Sequence, residues 1–195
     1  SSYRGNAVNS ASVAVDAFPG PDTVAWEYFA DEFDELGWRP DVNLAAVDDG
    51  VYLRMPSGEI HALDAESGAL EWVRTDLEAE GTPAVANGTV YVAGEKLIAL
   101  DAADGEVVWE REFDGGTSVT MPTIAYGTVY VVADESLYAI DAADGTINWR
   151  RDTVDVESRD GIEYITRTYP FDSTTVAVAD ERVYAVVEGD FRGVA

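Results

Sequence analysis

The chain of 195 residues has no cysteine, one histidine and one lysine. Without cysteine there is neither a disulfide nor a thiolate metal ligand, and the single imidazole, His61, cannot build a multi-histidine centre. No serine has a convincing partner for nucleophilic catalysis. No apolar run approaches the ~18 residues of a membrane-spanning helix, and helical patterns are scarce. The opening Ser1-Ser-Tyr-Arg-Gly reads as the start of a mature sequence rather than a secretory leader.

Cations are the other shortage. Twelve basic residues face 38 acidic ones, for a net charge of −26, and all the cations but Lys96 are arginines. Phosphate neutralisation needs a basic patch, whereas the only adjacent basic pair is Arg150-Arg151, so nucleic acid is disfavoured as a partner and none is expected. Charge of this size opposes compaction at low ionic strength. Near 1 M salt the Debye length falls to about 3 Å and the repulsion is screened. The acidic residues are spread through almost every loop rather than gathered in a tail, which fits adaptation of the whole surface. We read the composition as that of a halophilic protein, from a haloarchaeon.

What the chain does have is a phrase written three times: Ala62-Leu-Asp64-Ala-Glu-Ser-Gly68-Ala-Leu-Glu-Trp72, Ala99-Leu-Asp101-Ala-Ala-Asp-Gly105-Glu-Val-Val-Trp109 and Ala139-Ile-Asp141-Ala-Ala-Asp-Gly145-Thr-Ile-Asn-Trp149. The aspartates lie 37 and 40 residues apart, a period of propellers and solenoids. Each phrase reads as two strands joined by a tight turn. The Asp accepts bonds from N–H groups just ahead of it, and the Gly supplies a positive φ. Upstream, Asn87-Gly88 marks a further hairpin. Four strands of about five residues fill one propeller blade.

The phrase resembles the repeat of the PQQ-like (pyrroloquinoline-quinone-like) β-propellers, Ala-x-Asp-x-x-Thr-Gly-x-x-x-Trp, with Ser67, Asp104 and Asp144 in place of Thr. The resemblance implies an all-β propeller of four-stranded antiparallel blades, with about four blade equivalents here. The expected division is a closing strand over 22–29, complete blades over 41–75, 80–113 and 118–153, and an incomplete blade over 160–190. In the last, Thr174 to Ala179 and Arg182 to Val187 read as second and third strands, with Val187 where the phrase wants Asp. The fourth blade is thus split between the two ends of the sequence. A closed four-bladed ring, the front part of a longer protein, and two chains sharing one ring all remain open, and open blade edges favour self-association.

Within the repeat, Trp26, Trp72, Trp109 and Trp149 recur at one position and are expected to pack between blades. The Asp-x-x-Asp-Gly loops lack the alternating oxygen ligands of a calcium loop, so turn capping explains them. Quinone-dependent enzymes with this motif imply PQQ with calcium as an alternative cofactor, yet no position here matches their catalytic residues, and none is predicted. Asn87-Gly-Thr89 would be a glycosylation sequon, but its turn role already accounts for it. Interaction residues are expected where the repeat is broken. One break is Phe29 to Arg39, with Phe33, Trp38 and Arg39, where helical spacing suggests an amphipathic turn. The other is the inserted loop Asp152 to Phe171, with Arg159, Tyr164 and Tyr169. The resemblance extends to propellers that help assemble envelope complexes, and implies a protein-binding scaffold outside the cytoplasm.

The halophilic reading predicts that the melting temperature falls when the protein is moved from molar KCl to dilute buffer. An unchanged melting temperature across that transfer overturns it.

Overall fold

The computed structural model describes residues 24–28, 42–47, 49–116, 118–160, 163–172, 176–187 and 190–194. Every regular element among them is a strand. Strands β1 (Asn43–Val47), β2 (Gly50–Arg54), β3 (Ile60–Asp64) and β4 (Leu70–Arg74) form the first antiparallel sheet. The second comprises β5 (Glu80–Ala86), β6 (Thr89–Ala93), β7 (Leu97–Asp101) and β8 (Val107–Arg111), and the third β9 (Thr123–Ala125), β10 (Thr128–Ala133), β11 (Ser136–Asp141) and β12 (Ile147–Arg151). Each sheet is ordered by sequence, a meander that runs from its first strand to its fourth. The all-β, four-stranded blade architecture expected from the repeat is the one observed.

Sheets stack face to face, so the second and third strands of each are covered on both sides. That explains why these strands are continuous apolar runs rather than alternating ones. Tyr52, Ile60 and Trp72 of the first sheet meet Val85, Val90 and Leu100 of the second. Tyr91, Leu97 and Trp109 of the second meet Ile124, Val129 and Ile140 of the third. The first strands β1 and β5 are tied across by polar side chains, where Thr82 Oγ1 donates to Asn43 Oδ1 at 3.1 Å.

The turn between first and second strands has two residues of positive φ, Asn87 at 52° with Gly88 at 74° and Tyr126 at 53° with Gly127 at 72°. Such mirror-image turns match the right-handed twist of the strands they join. Asp180 at 49° and Glu181 at 60° repeat the pattern between β15 (Ala177–Ala179) and β16 (Arg182–Val187). Just before β15, Val176 O accepts a 2.8 Å bond from Thr123 Oγ1 of β9. The segment read as second and third strands of the last blade is therefore its first and second.

The third strand is β17 (Asp190–Val194), which pairs with β16 and completes a three-stranded sheet. The register pairs Val187 with Asp190, as Ala133 pairs with Ser136. Val187 is thus the counterpart of Ala133, a buried core residue, and not of the repeat's Asp. That position falls on residue 195, outside the described residues. The misreading has a simple cause, because Tyr184-Ala185 matches Tyr138-Ala139 of the third strand β11, whereas Val183-Tyr184 matches the Val-Tyr of the second strands β2, β6 and β10.

The expected inserted loop is a β-hairpin. Strands β13 (Thr153–Asp160) and β14 (Glu163–Pro170) pair along their whole length and with no other described strand. An isolated two-stranded ribbon is marginal in water, and here Val154, Val156 and Tyr169 pack it onto the core between the third and fourth sheets. Its place in the repeat is fixed by one recurrent bond. Ala79 N–H donates to Gly58 O, Val119 N–H to Gly94 O and Phe171 N–H to Glu135 O, at 3.0, 2.8 and 2.9 Å. The hairpin is thus an insertion into the connection after the third sheet, and the repeat resumes at Phe171. That ring is 1% exposed in the same core. Phe171→Ala is expected to cost about 3–5 kcal/mol in denaturant unfolding; a loss under about 1 kcal/mol would make it a surface anchor instead.

Candidate functional site

The chemistry repeated in this chain converges on the seams between sheets. At the end of each third strand a bulge follows the Ala that faces the Trp, with Ala62 opposite Trp72, Ala99 opposite Trp109 and Ala139 opposite Trp149. The small side chain leaves room for the indole. Asp64, Asp101 and Asp141 then cap their turns: their Oδ1 atoms accept from the N–H groups of Ser67, Ala103 and Ala143 at 2.7, 2.8 and 2.9 Å. Asp104 and Asp144 do the same for Glu106 and Thr146 at 2.9 and 2.8 Å. Hydrogen bonds from the Ser67 hydroxyl and N–H hold the Asp64 carboxyl below its ordinary range, and those from Thr146 do so for Asp144.

The turn of one sheet is gripped by the sheet before it. Trp72 Nε1–H and Tyr52 Oη–H both donate to Ala102 O, at 3.0 and 3.3 Å, and Arg74 Nη1 donates to Gly105 O at 2.5 Å. In the next seam Trp109 and Tyr91 share Ala142 O at 3.0 and 2.9 Å, while Arg111 Nε and Nη2 reach Gly145 O at 3.0 and 2.5 Å. The indoles lie over the glycines. A Cβ at Gly105 or Gly145 would come within 2.8 or 2.7 Å of the ring. Glycine is thus required twice, for φ near 70° and for the indole above it.

Trp26 repeats this contact at the first sheet. Its Nε1–H donates to Ala65 O at 3.0 Å and its ring covers Gly68. Tyr28 Oη bonds His61 Nδ1 at 2.7 Å, and Nε2 of that histidine bonds Glu59 Oε2 at 3.1 Å. His61, 7% exposed, thus fastens the segment 24–28 to the first sheet. Trp149 differs. It is 38% exposed, against 9% and 8% for Trp72 and Trp109.

The expected interaction residues divide three ways. Phe33, Trp38 and Arg39 lie outside the described residues. Arg159 and Tyr164 are Cα partners near the end of the β13–β14 hairpin. Tyr169 is half-buried against the core. Sequence reasoning missed the strand-two tyrosines and the arginines two residues after Trp72 and Trp109. The signal was present as a Trp-x-Arg spacing, shared by Trp149 and Arg151.

Two open grooves flank the first seam. One of about 510 Å³ is lined by Asp49, Asp64, Glu71 and Asp101. The other, about 560 Å³, lies around Lys96, Glu78, Glu95 and Glu112, with Lys96 Nζ on Glu110 Oε2 at 2.5 Å. Both are strongly acidic. Among the described residues no three histidine, cysteine or carboxylate side chains gather as metal ligands, and no helix is long and apolar enough to cross a membrane.

Stacked four-stranded sheets locked by Trp-over-Gly seams define a PQQ-like β-propeller. Within that class the chain belongs to the family described as outer membrane protein assembly factor BamB, whose model matches residues 58–191. It is 29% identical over 126 residues to the BamB of Vibrio cholerae, covering 57% of this chain and 33% of that protein. The solved BamB of Moraxella catarrhalis superposes with a TM-score of 0.59 at 22% identity, over 78% of this chain and 48% of that one. A quinohemoprotein alcohol dehydrogenase from Comamonas testosteroni shares the fold at a TM-score of 0.55 and 19% identity, over 74% of this chain and 28% of the enzyme. The chain therefore spans about a third to a half of the BamB proteins it matches.

Truncating the gripped indole is expected to cost about 3–5 kcal/mol in Trp109→Ala. The same change at half-exposed Trp149 should cost under about 2 kcal/mol. Equal losses in paired denaturant titrations would contradict the seam description.

Proposed function

We propose that this chain is a non-catalytic propeller unit that serves as a protein-binding or assembly scaffold outside the cytoplasm of a halophile. The observation that carries this reading is where the polar chemistry goes. The Asp of each repeat caps its turn, and the Tyr, Trp and Arg of the first two sheets grip the neighbouring sheet, so the motif that draws the eye to an active site is engaged in structure. Membership in a family described as an outer membrane assembly factor supports the scaffold role and the extracytoplasmic setting. The net charge of −26 supports the halophilic setting and disfavours nucleic acid.

The partner is a protein, met by surfaces the repeat does not consume. The β13–β14 hairpin is the foremost of these, because it is added to the repeat and exposes Glu157, Thr166, Arg167 and Thr168. Inserted elements on a rigid scaffold commonly carry binding. A cofactor-binding unit of a quinone-dependent dehydrogenase is the second reading, favoured by the fold shared with the Comamonas enzyme.

A titration with PQQ and calcium in molar KCl separates the two. The scaffold reading expects no saturable absorbance change and no alcohol-dependent dye reduction. A photocrosslinking side chain at Thr166 should capture envelope proteins in the source cell, while one at Val108 on the second sheet should not. Quinone binding with dye reduction would overturn the scaffold role.

A further inference from the structure

The turn between β5 and β6 carries a feature that the repeat does not demand. Asn87-Gly88-Thr89 is the one Asn-x-Ser/Thr sequence of the chain, and its middle residue is not the proline that disables an acceptor of N-linked sugar. The turn itself does not require asparagine, because the same place is held at φ 53° by Tyr126 and at φ 49° by Asp180. Tyr126-Gly127-Thr128 has the threonine without the asparagine, and Asp180-Glu181-Arg182 has neither. The backbone of the turn is also held without the Asn87 side chain. Ala86 pairs with Thr89, and Ala102 N–H donates to Gly88 O at 2.9 Å.

The structure puts this sequence where an enzyme can reach it. Asn87 and Gly88 are exposed, with Thr89 half-buried at the start of β6. A Cβ at Gly88 would meet nothing within 4 Å, so the tip stands clear of the neighbouring sheets. Among the described residues the Asn87 amide enters no hydrogen bond, which leaves its nitrogen free to react. The surroundings suit a sugar. Asn87 and Gly88 form one rim of the groove of about 510 Å³ whose other walls carry Asp49, Asp64, Glu71 and Asp101. Ionised carboxylates only accept hydrogen bonds, whereas a neutral sugar is rich in hydroxyl donors. The tip is also remote from the base of the hairpin. First-to-second and third-to-fourth turns share one end of each sheet, and β12 leads into β13 from the opposite end.

We propose that Asn87 is a site of N-linked glycosylation, with its sugar lying over the acidic groove beside the first seam. The donor is a sugar carried on a lipid-linked phosphate. The Asn87 amide nitrogen forms a bond to the anomeric carbon, the bond from that carbon to the phosphate oxygen breaks, the phosphate keeps the electron pair, and one amide proton passes to a base of the transferase. The inference rests on the extracytoplasmic reading, because acceptors of this kind are modified in exported proteins.

Trypsin cuts after Arg74 and Lys96, so residues 75–96 form one peptide that contains the whole acceptor sequence. The test is mass spectrometry of that peptide from protein recovered separately from the cytoplasm and from the exterior of the source cell. The expected result for the external protein is a peptide heavier by whole sugar residues, with fragments that place them on Asn87. Thr89→Ala should remove the added mass and Thr89→Ser should retain it, both with the Asn-Gly turn intact. An unmodified peptide in external protein overturns the proposal and leaves the extracytoplasmic reading standing. An unmodified protein confined to the cytoplasm overturns both. Added mass that survives Thr89→Ala also overturns the proposal, since the sugar would then not depend on this sequence.

Discussion

One carbonyl per seam organises this molecule. The oxygen of the residue after the repeat's Asp accepts two hydrogen bonds from the preceding sheet, from a Trp and from a Tyr, so both of its lone pairs are used. The N–H of the same residue bonds back within its own sheet, Ala102 to Gly88 O and Ala142 to Gly127 O at 2.9 and 3.0 Å. A single peptide group thus joins the turn between first and second strands, the turn between third and fourth strands, and the neighbouring blade. The facing side chains are buried, and leaving such a group unpaired would cost about 1–3 kcal/mol. Asp, Gly, Ala, Tyr and Trp hold their places in the repeat because they shape or satisfy that one group, and Arg holds the glycine carbonyl of the same turn.

This explains both what the sequence made plain and what it hid. The Asp, Gly and Trp spacing was legible because each residue type is nearly irreplaceable at its position, by capping, by φ or by ring size. Tyr52 and Tyr91 were less legible, since a Tyr in an apolar strand reads as ordinary core. Only the carbonyl across the seam reveals why a hydroxyl belongs there. Arg74 and Arg111 were hidden among surface charges for the same reason.

The last blade was shifted by one strand because Tyr184-Ala185 matches Tyr138-Ala139 of a third strand, although Val183-Tyr184 carries the Val-Tyr of the second strands. What separates them is backbone geometry at Asp180 and Glu181, residues with no Gly or Asn to announce a positive φ. The hairpin at 153–170 was read for its aromatic and arginine content, although the alternation of Val154 and Val156 with acidic residues already carried the period of a strand. Its partner strand lacks such regularity, and a ribbon that leans on the core with few side chains leaves a weak imprint on composition. The segment with Phe33, Trp38 and Arg39 stands outside the described residues.

The grip between sheets is also directional. Each sheet offers donors on one side and acceptors on the other, so a seam has a head and a tail and cannot be formed by two identical faces. Contacts of that kind do not make two-fold dimers; they propagate until rotation brings the ends together. A gene encoding one blade can be copied in tandem, and every new junction will be chemically correct without further change. The number of blades is then free to drift between relatives, set by geometry of closure alone, while the vocabulary of each junction stays constant.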